Sequence, residues 1–195
     1  MKALVVYCHP KPESFTAAVR DLVVEKLTAH GAELRVADLY ARGFHPVLSA
    51  GEFDLYLDAE ANTDLVAQDV ADLKWCDTLI FVYPTWWYGL PAILKGWLDR
   101  VWTPEITFAI SPDSKRITPL MTHIRKLGVV TTCGAPRWWS HVVGHPGKRT
   151  LLRGMRALFD RRCRTLFLAH YLMDVSTPQS RAAFLELVER KMRRF

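Results

Sequence analysis

The chain has 195 residues, 50% of them hydrophobic and 24% charged, with a formal net charge of +6 at pH 7. These values predict one globular domain over residues 1–195. The basic residues are dispersed and weighted to the C-terminal half, with Arg161, Arg162 and Arg164 as the densest cluster before the tail. This pattern favours a solvated or anion-docking face over a nucleic-acid-binding surface, so we expect no nucleic-acid partner.

The four cysteines are far apart and show neither a C-x-x-C motif nor metal-ligand spacing, so no metal site is predicted. Three of them lie in apolar runs, which fits free thiols in a reducing compartment. The N-terminus enters a predicted strand directly, without the pattern of a signal peptide. Because no apolar run reaches the roughly eighteen residues of a membrane span, we expect a soluble cytoplasmic protein.

The first forty residues predict a βαβ unit. A valine-rich apolar run at residues 3–8 indicates a strand buried on both faces. Ser14 is placed to cap a helix over residues 15–29, which Gly31 ends, and residues 33–39 indicate a second strand.

The loop after the first predicted strand lacks the G-x-G-x-x-G fingerprint of dinucleotide sites. A helix N-terminus can still bind phosphate through its free N–H groups, and His9, Ser14 and Thr16 would add side-chain donors. In the alternative interpretation Ser14 is only a cap and His9 only a turn residue.

Residues 40–62 predict a long loop, and Asn62 or Thr63 is placed to cap a helix that runs to about Lys74. The β-rich run at residues 78–82 predicts the third strand, which ends at Pro84.

Three aromatic residues, Trp86, Trp87 and Tyr88, follow the third strand, and a helix-forming segment then runs through Arg100. Aromatic residues between a strand end and a helix start favour a wall for a flat ligand, because ligands bind outside the carboxyl ends of parallel strands. The alternative is an aromatic cluster that merely covers a buried strand.

The C-terminal half continues the alternation of strands and helices. We expect a loop over residues 102–126, a strand over 126–132, a helix over 146–159 and a strand over 164–168. Thr177 precedes proline and predicts the start of the last helix. Five strands that alternate with helices predict a parallel sheet with helices on both faces.

Two segments resemble a known family. Residues 84–101 follow the pattern P-x-x-W-x-G-x-P-A-x-x-K-G-W-x-D-R-V, which resembles the flavin-binding strand–loop–helix of the NAD(P)H:quinone oxidoreductases, the DT-diaphorase-like flavodoxin-like flavoproteins. Residues 9–16, H-P-K-P-E-S-F-T, resemble the phosphate loop of the same family. The resemblance implies a flavodoxin-like, doubly wound five-stranded parallel sheet in a three-layer α-β-α fold.

The resemblance also implies a function. The chain would bind a flavin, FAD or FMN, take hydride from NAD(P)H and pass two electrons to a quinone or related acceptor. Family members place the loop equivalent to residues 102–126 over the partner subunit's pocket, which implies a homodimer with its pocket at the subunit interface. The implied cofactor-binding residues are His9, Ser14, Phe15, Thr16, Pro84, Thr85, Trp86, Trp87, Tyr88, Gly89, Thr131, Thr132, Cys133 and Gly134.

One stretch departs from the family pattern. Where the family reads T-T-G-G, this chain has Cys133 at the first glycine. The family's Tyr, credited together with a His with stabilising the negative charge of the reduced flavin, is replaced by Trp139, whereas the His is retained as His145. An indole donates one N–H but loses no useful proton, whereas an imidazole titrates at about pH 6.5.

Trp139 and His145 are therefore the predicted catalytic positions, and His141 is a second histidine candidate. The alternative is that both histidines are surface loop residues. Two further departures weaken the FAD case: Thr16 stands where FAD-binding relatives have Asn, and Gln68 is two residues out of register with a Gln that holds the adenine half.

Other functions stay open on the sequence alone. Related ancillary proteins keep the flavin fold and bind potassium-efflux transporters, and a basic face would dock on an acidic domain of such a membrane protein. A flavodoxin-type electron carrier is disfavoured, since those proteins are usually acidic and this chain carries +6. Nucleic-acid binding is the weakest alternative, because no basic stripe is interleaved with the aromatic residues.

Overall fold

The computed structural model describes residues 1–58, 61–110 and 116–195. The strands, in chain order, are β1 (Lys2–Tyr7), β2 (Glu33–Asp38), β3 (Thr78–Thr85), β4 (Phe108–Ile110), β5 (Ile117–Pro119), β6 (Lys126–Cys133) and β7 (Arg164–His170). Five strands form a parallel sheet in the order β2-β1-β3-β6-β7, which confirms the predicted doubly wound sheet. The strand order reverses between β1 and β3, which is where such sheets bind ligands.

Helices cover both faces of the sheet and complete the predicted three layers. They are α1 (Phe15–Ala29), α2 (Ala50–Asp54), α3 (Ala67–Trp75), α4 (Ala92–Val101), α5 (Arg137–Val143), α6 (Pro146–Arg149) and α7 (Pro178–Met192). On one face, α1 and α7 contribute Val23 and Val188 to a buried cluster. On the other face, α3 and α4 contribute Leu73 and Trp97 to a second cluster.

Strand β1 is buried on both faces, as its valine-rich run predicts. Leu4 and Val6 pack on the side of α3 and α4, whereas Val5 and Tyr7 pack on the side of α1 and α7. Burial of an aliphatic side chain of this size contributes roughly 1.5–3 kcal/mol. The strand that ends at the ligand-binding edge is therefore held firmly from both sides.

The predicted helix caps are confirmed at both long helices. The Ala17 N–H donates to Ser14 Oγ over 3.1 Å at the start of α1. Thr177 and Ser180 form a reciprocal capping box at the start of α7, with proline at its first turn. Gly31 follows α1 with a φ of +72°, a left-handed conformation that glycine adopts without strain.

Strand β3 extends past Pro84, where the sequence predicted its end. The last pair between β1 and β3 is Tyr7 with Val82, and the Cys8 N–H donates to the Val82 carbonyl over 3.2 Å. Residues two apart in a strand direct their backbone groups to the same neighbour, so Pro84, like Val82, faces β1. Because β1 has already ended there, the N–H that proline lacks is not needed for pairing. The strand therefore continues to Thr85, paired on its other side with β6.

The predicted helix over residues 146–159 is present through Leu158, but it is not a regular α-helix. The segment consists of α6, a π-helical turn at Thr150–Gly154 and a 3₁₀ turn at Met155–Leu158. Gly154 lies at the junction of the two turns and lowers helix propensity by about 1 kcal/mol relative to alanine. Leu151 and Phe159 are nevertheless buried, so the apolar face that suggested a helix does pack on the core.

Other local differences come from short elements. The helix expected from Asn62 or Thr63 is a 3₁₀ turn at Asp64–Val66 followed by α3. The helices α2 and α5 and the antiparallel pair β4–β5 were not predicted. Residues 59–60 of the first predicted loop and 111–115 of the second lie outside the described part of the chain. Within the described part, no helix combines the length and apolarity that a membrane crossing requires.

Candidate functional site

A cleft of about 880 Å³ lies at the carboxyl ends of β1, β3, β6 and β7. Its lining residues are His9, Ser14, Phe15, Thr16, Pro84, Thr85, Trp86, Trp87, Tyr88, Thr132, Cys133, Gly134, Ala135, Met173 and Asp174. The cleft thus brings together the predicted phosphate loop, the three aromatic residues after β3 and the end of β6. Of the residues predicted for cofactor binding, Gly89 and Thr131 lie outside this lining, and Thr131 lines a smaller neighbouring cavity.

The N-terminus of α1 forms one end of the cleft. Among the described residues, no hydrogen bond is donated by the backbone N–H of Phe15 or Thr16, as is usual in the first turn of a helix. Thr16 Oγ1 lies 3.3 Å from Thr132 Oγ1, which ties this turn to β6. The His9 ring is fixed through Nδ1, which lies 3.0 Å from the Lys11 amide nitrogen and 3.1 Å from the Lys11 carbonyl oxygen.

A tight turn of aromatic residues forms the opposite end. Trp87 and Tyr88 both have positive φ, +48° and +62°, and the Gly89 N–H donates to the Trp86 carbonyl over 3.0 Å. Two consecutive residues of this kind define a turn of type I′, which normally selects asparagine and glycine. A non-glycine residue held in such a conformation costs about 1–3 kcal/mol, and strain of this kind is concentrated at functional sites.

The aromatic turn leaves one large side chain exposed and two backbone N–H groups without an acceptor among the described residues. The Trp87 side chain is 95% exposed, so its burial cannot be what stabilises the turn. Within the described ranges, neither the Trp87 nor the Tyr88 N–H donates a hydrogen bond. The strained turn therefore places unused donors beside the cleft.

Asp174 and Met173 also line the cleft, and the sequence analysis did not identify them. They lie in a 3₁₀ turn after β7. Their position just after a predicted strand is the feature of the sequence that could have identified them. A Cβ atom added to Gly134 would lie 2.3 Å from Asp174 Oδ2. The present position of this exposed carboxylate therefore depends on the missing side chain of Gly134, although the carboxylate could rotate away from a larger residue.

His145 lies behind the cleft. It lines a cavity of about 20 Å³, which is room for a single water molecule, and its φ is +48°. His145 Nε2 lies 3.1 Å from His141 Nδ1. Burial lowers the pKa of His145 below its ordinary value, and the positive charges of His141, Lys148, Arg137 and Arg149 lower it further.

The small cavity and the cleft share a wall made of Thr85, Tyr88 and Cys133. Thr85 Oγ1 lies 2.8 Å from Thr131 Oγ1, and Cys133 Sγ lies 3.7 Å from Ser140 Oγ. These contacts fix the ends of β3 and β6, so the wall between the two cavities is rigid.

Trp139 lies on α5 and contacts the aromatic turn. Its Nε1–H donates to the Tyr88 hydroxyl over 2.9 Å. The indole itself does not line the cleft, although it is 40% exposed. The structure therefore places Trp139 behind Tyr88 and His145 behind the shared wall.

The residues of the cleft fit a flavin. Its volume lies within the range of about 300–1,000 Å³ that small-molecule sites occupy. The amides at the start of α1 suit a phosphate group, and those of the aromatic turn suit the acceptor atoms of a planar ring. The Asp174 carboxylate accepts hydrogen bonds, so it suits hydroxyl groups of a ligand. It does not suit a phosphate group, because both are anions. Among the described residues, no cluster of side chains has the geometry of a metal site.

Comparison with known proteins places the chain in a family. A family model described as a flavodoxin-like fold matches residues 1–194. The chain belongs to the flavodoxin-like family. This flavodoxin-like chain is similar over 100% of its length to the crystal structure of Smu.1420 from Streptococcus mutans UA159, with a TM-score of 0.89, 27% identity and 100% of that chain covered.

A second similar structure is an NAD(P)H:quinone oxidoreductase from Methanothermobacter marburgensis, with a TM-score of 0.80 and 27% identity over 99% of this flavodoxin-like chain and 96% of that one. A ribosyldihydronicotinamide dehydrogenase-like protein of Penicillium crustosum is 39% identical over 118 residues, which are 53% of this chain and 44% of the relative. The aligned segments span about half the length of the curated relatives.

Proposed function

We propose that the chain is a flavin-dependent oxidoreductase that takes hydride from NAD(P)H and passes two electrons to a quinone-type small molecule. The observation that carries this proposal is one cleft at the switch point that is bordered both by free amides of α1 and by free amides of a strained aromatic turn. The overall reaction converts NAD(P)H, a proton and a quinone into NAD(P)⁺ and a hydroquinone. The similar Methanothermobacter structure, named for this chemistry, supports the assignment.

The flavin, FMN or FAD, would supply a centre that accepts hydride and releases two electrons. The residues of the chain hold and shield it. The amides of Phe15 and Thr16, with the His9 ring, would bind its phosphate, since a helix N-terminus favours anions. Pro84 and Trp86 on one side and Gly134 on the other would flank its ring and exclude water.

The protonation state of His145 affects how negative charge in the cleft is stabilised. Its pKa is lowered, so the ring is predominantly neutral at pH 7. A neutral imidazole behind the wall offers one N–H donor and no positive charge. Negative charge that develops in the cleft is therefore stabilised mainly by neutral hydrogen-bond donors.

A homodimer belongs to the same proposal. Trp87 lines the cleft and is 95% exposed, and Trp138 and Val142 on α5 are 66% and 68% exposed; apolar surface of this kind favours a partner. A second copy would cover these side chains and enclose the substrate end. Cytoplasmic location stays a prediction, and the four free cysteines support it.

The transporter-binding and electron-carrier alternatives gain no support. The similar Methanothermobacter and Penicillium proteins are not named for transport, and the net charge of +6 argues against an acidic electron carrier. Initial-rate kinetics separate an oxidoreductase from a carrier: one site used in turn by NAD(P)H and quinone predicts ping-pong behaviour.

The first test is the absorption spectrum of the purified protein, followed by mass analysis of what boiling releases. We expect flavin bands and a mass that distinguishes FMN from FAD. Parallel initial-rate lines for NAD(P)H against a quinone are expected next. A colourless protein that binds neither added FMN nor added FAD would overturn the proposal.

A further inference from the structure

Tyr88 lines both the cleft and the small cavity behind it, and the role of its hydroxyl is not explained by cofactor binding. We propose that Tyr88 is a catalytic residue whose O–H donates a hydrogen bond to negative charge that develops in the cleft, and that Trp139 positions it. This inference rests on the proposed flavin chemistry. It assigns the donor role to a side chain of the aromatic turn, whereas the sequence pointed to Trp139 and His145.

The hydrogen bond between the two side chains has a fixed direction. An indole Nε1–H can only donate, so at 2.9 Å the Tyr88 oxygen must be the acceptor. The phenol keeps its own proton, and among the described residues no acceptor receives it. Because Tyr88 lines the cleft as well as the rear cavity, a ligand in the cleft can accept this proton in place of water.

The backbone holds the phenol in this position. Tyr88 has a φ of +62°, and its carbonyl accepts from the Gly147 N–H over 3.4 Å, which links the aromatic turn to α6. A bulky residue in a left-handed conformation persists only where its surroundings require it. The left-handed backbone and the bond to Gly147 therefore fix the direction of the Tyr88 side chain as well as the amides of the turn.

The chemistry of the neighbours also favours Tyr88. Acceptance of the Trp139 N–H polarises the phenol and makes its O–H a stronger donor. Trp139 has a single N–H, which is already used by Tyr88. His145 has a lowered pKa and lies behind the shared wall, so it offers no positive charge in the cleft.

The variant Tyr88→Phe removes the hydroxyl and keeps the ring. We expect the rate of flavin reduction by NAD(P)H in stopped flow to fall about 10²-fold, the size seen when one preorganised donor is removed. The reduction potential of the bound flavin should become more negative, because the reduced state loses a donor. Affinity for the oxidised flavin, measured by fluorescence, should stay within about threefold, because the hydroxyl donates to charge that is present only after reduction.

Trp139→Phe tests the positioning role. It should lower the same rate less than Tyr88→Phe does, and the double variant should be no slower than Tyr88→Phe alone. Tyr40→Phe is the matched control, because Tyr40 lines neither cavity and its loss of a hydroxyl should leave both readouts unchanged. If Tyr88→Phe fails to fold, a Trp139→Phe protein with wild-type rate and potential overturns the inference by itself.

The outcomes separate this inference from the proposed function. If wild-type protein binds no flavin or does not oxidise NAD(P)H, both fail. If wild-type protein is active and Tyr88→Phe matches it in rate and reduction potential, only the role of Tyr88 is overturned. Additive losses in the double variant would likewise remove Trp139 as the positioning residue.

Discussion

The two ends of the cleft are built in opposite ways. At the α1 end, a serine cap, free helix amides and a threonine pair follow local rules and leave the backbone unstrained. At the aromatic end, Trp87 and Tyr88 adopt conformations normally reserved for asparagine and glycine. The comparison indicates that the anion-binding end also stabilises the fold, whereas the ring-binding end is maintained at the expense of stability.

Gly134→Ala tests the junction between the two ends and should have the largest effect on flavin binding. The new Cβ would lie 2.3 Å from Asp174 Oδ2, but this oxygen ends an exposed side chain that can rotate away, so stability should change by less than about 1 kcal/mol. Flavin titration should show weaker binding, because the Asp174 carboxylate that lines the cleft has to move. If Gly134→Ala weakens binding equally in a chain that already carries Asp174→Ala, displacement of the carboxylate is not the cause.

Ser14→Ala tests the helical end. It removes the acceptor of the Ala17 N–H, and loss of such a cap typically costs about 1 kcal/mol. Urea unfolding should therefore show lower stability, and flavin titration should show weaker binding. Thr177→Ala is the matched control at α7: it should cost similar stability and leave flavin affinity unchanged.

Trp87→Asn tests the strained end and should change stability in the opposite direction. Asparagine suits the left-handed conformation, and the indole is 95% exposed, so unfolding should require up to about 1 kcal/mol more. Flavin affinity should nevertheless fall, because a wall residue is lost. A variant that is less stable than the wild type would contradict the assignment of strain to this turn.

The dependence of stability on pH should show the smallest effect. Burial lowers the pKa of His145 and of His170 in the folded state. The unfolded chain then binds more protons, so stability falls as the pH drops below about 6.5 towards the lowered folded pKa values. His145→Gln should flatten part of this decline in unfolding experiments from about pH 7 down to about pH 5. An unchanged slope would show that His145 titrates normally.

Local rules predicted much of the fold from the sequence. The buried run of β1, the Ser14 cap and Gly31 each follow from the chemistry of nearby residues, so their placement required no tertiary information. The π turn at Thr150–Gly154 was missed, because its apolar spacing is compatible with an ordinary helix.

The candidate site was predictable only in part. His9, Ser14 and Pro84 stand out in the sequence because they flank strand ends, and the structure places them around one cleft. Asp174 was missed because its contact with Gly134 joins residues far apart in the chain. His145 was expected in the site, yet it lies behind a wall, since its position depends on the break between α5 and α6.

Pro84 has a consequence for what can enter the open edge of the sheet. Past Val82, β3 overhangs its neighbour β1, and an overhanging strand normally presents donors to which an extended peptide can add. The nitrogen of Pro84 carries no hydrogen, so this position provides no donor to an added strand. The end of β3 past Val82 can therefore stay accessible to small planar molecules. The same proline disfavours strand addition and aggregation at this edge.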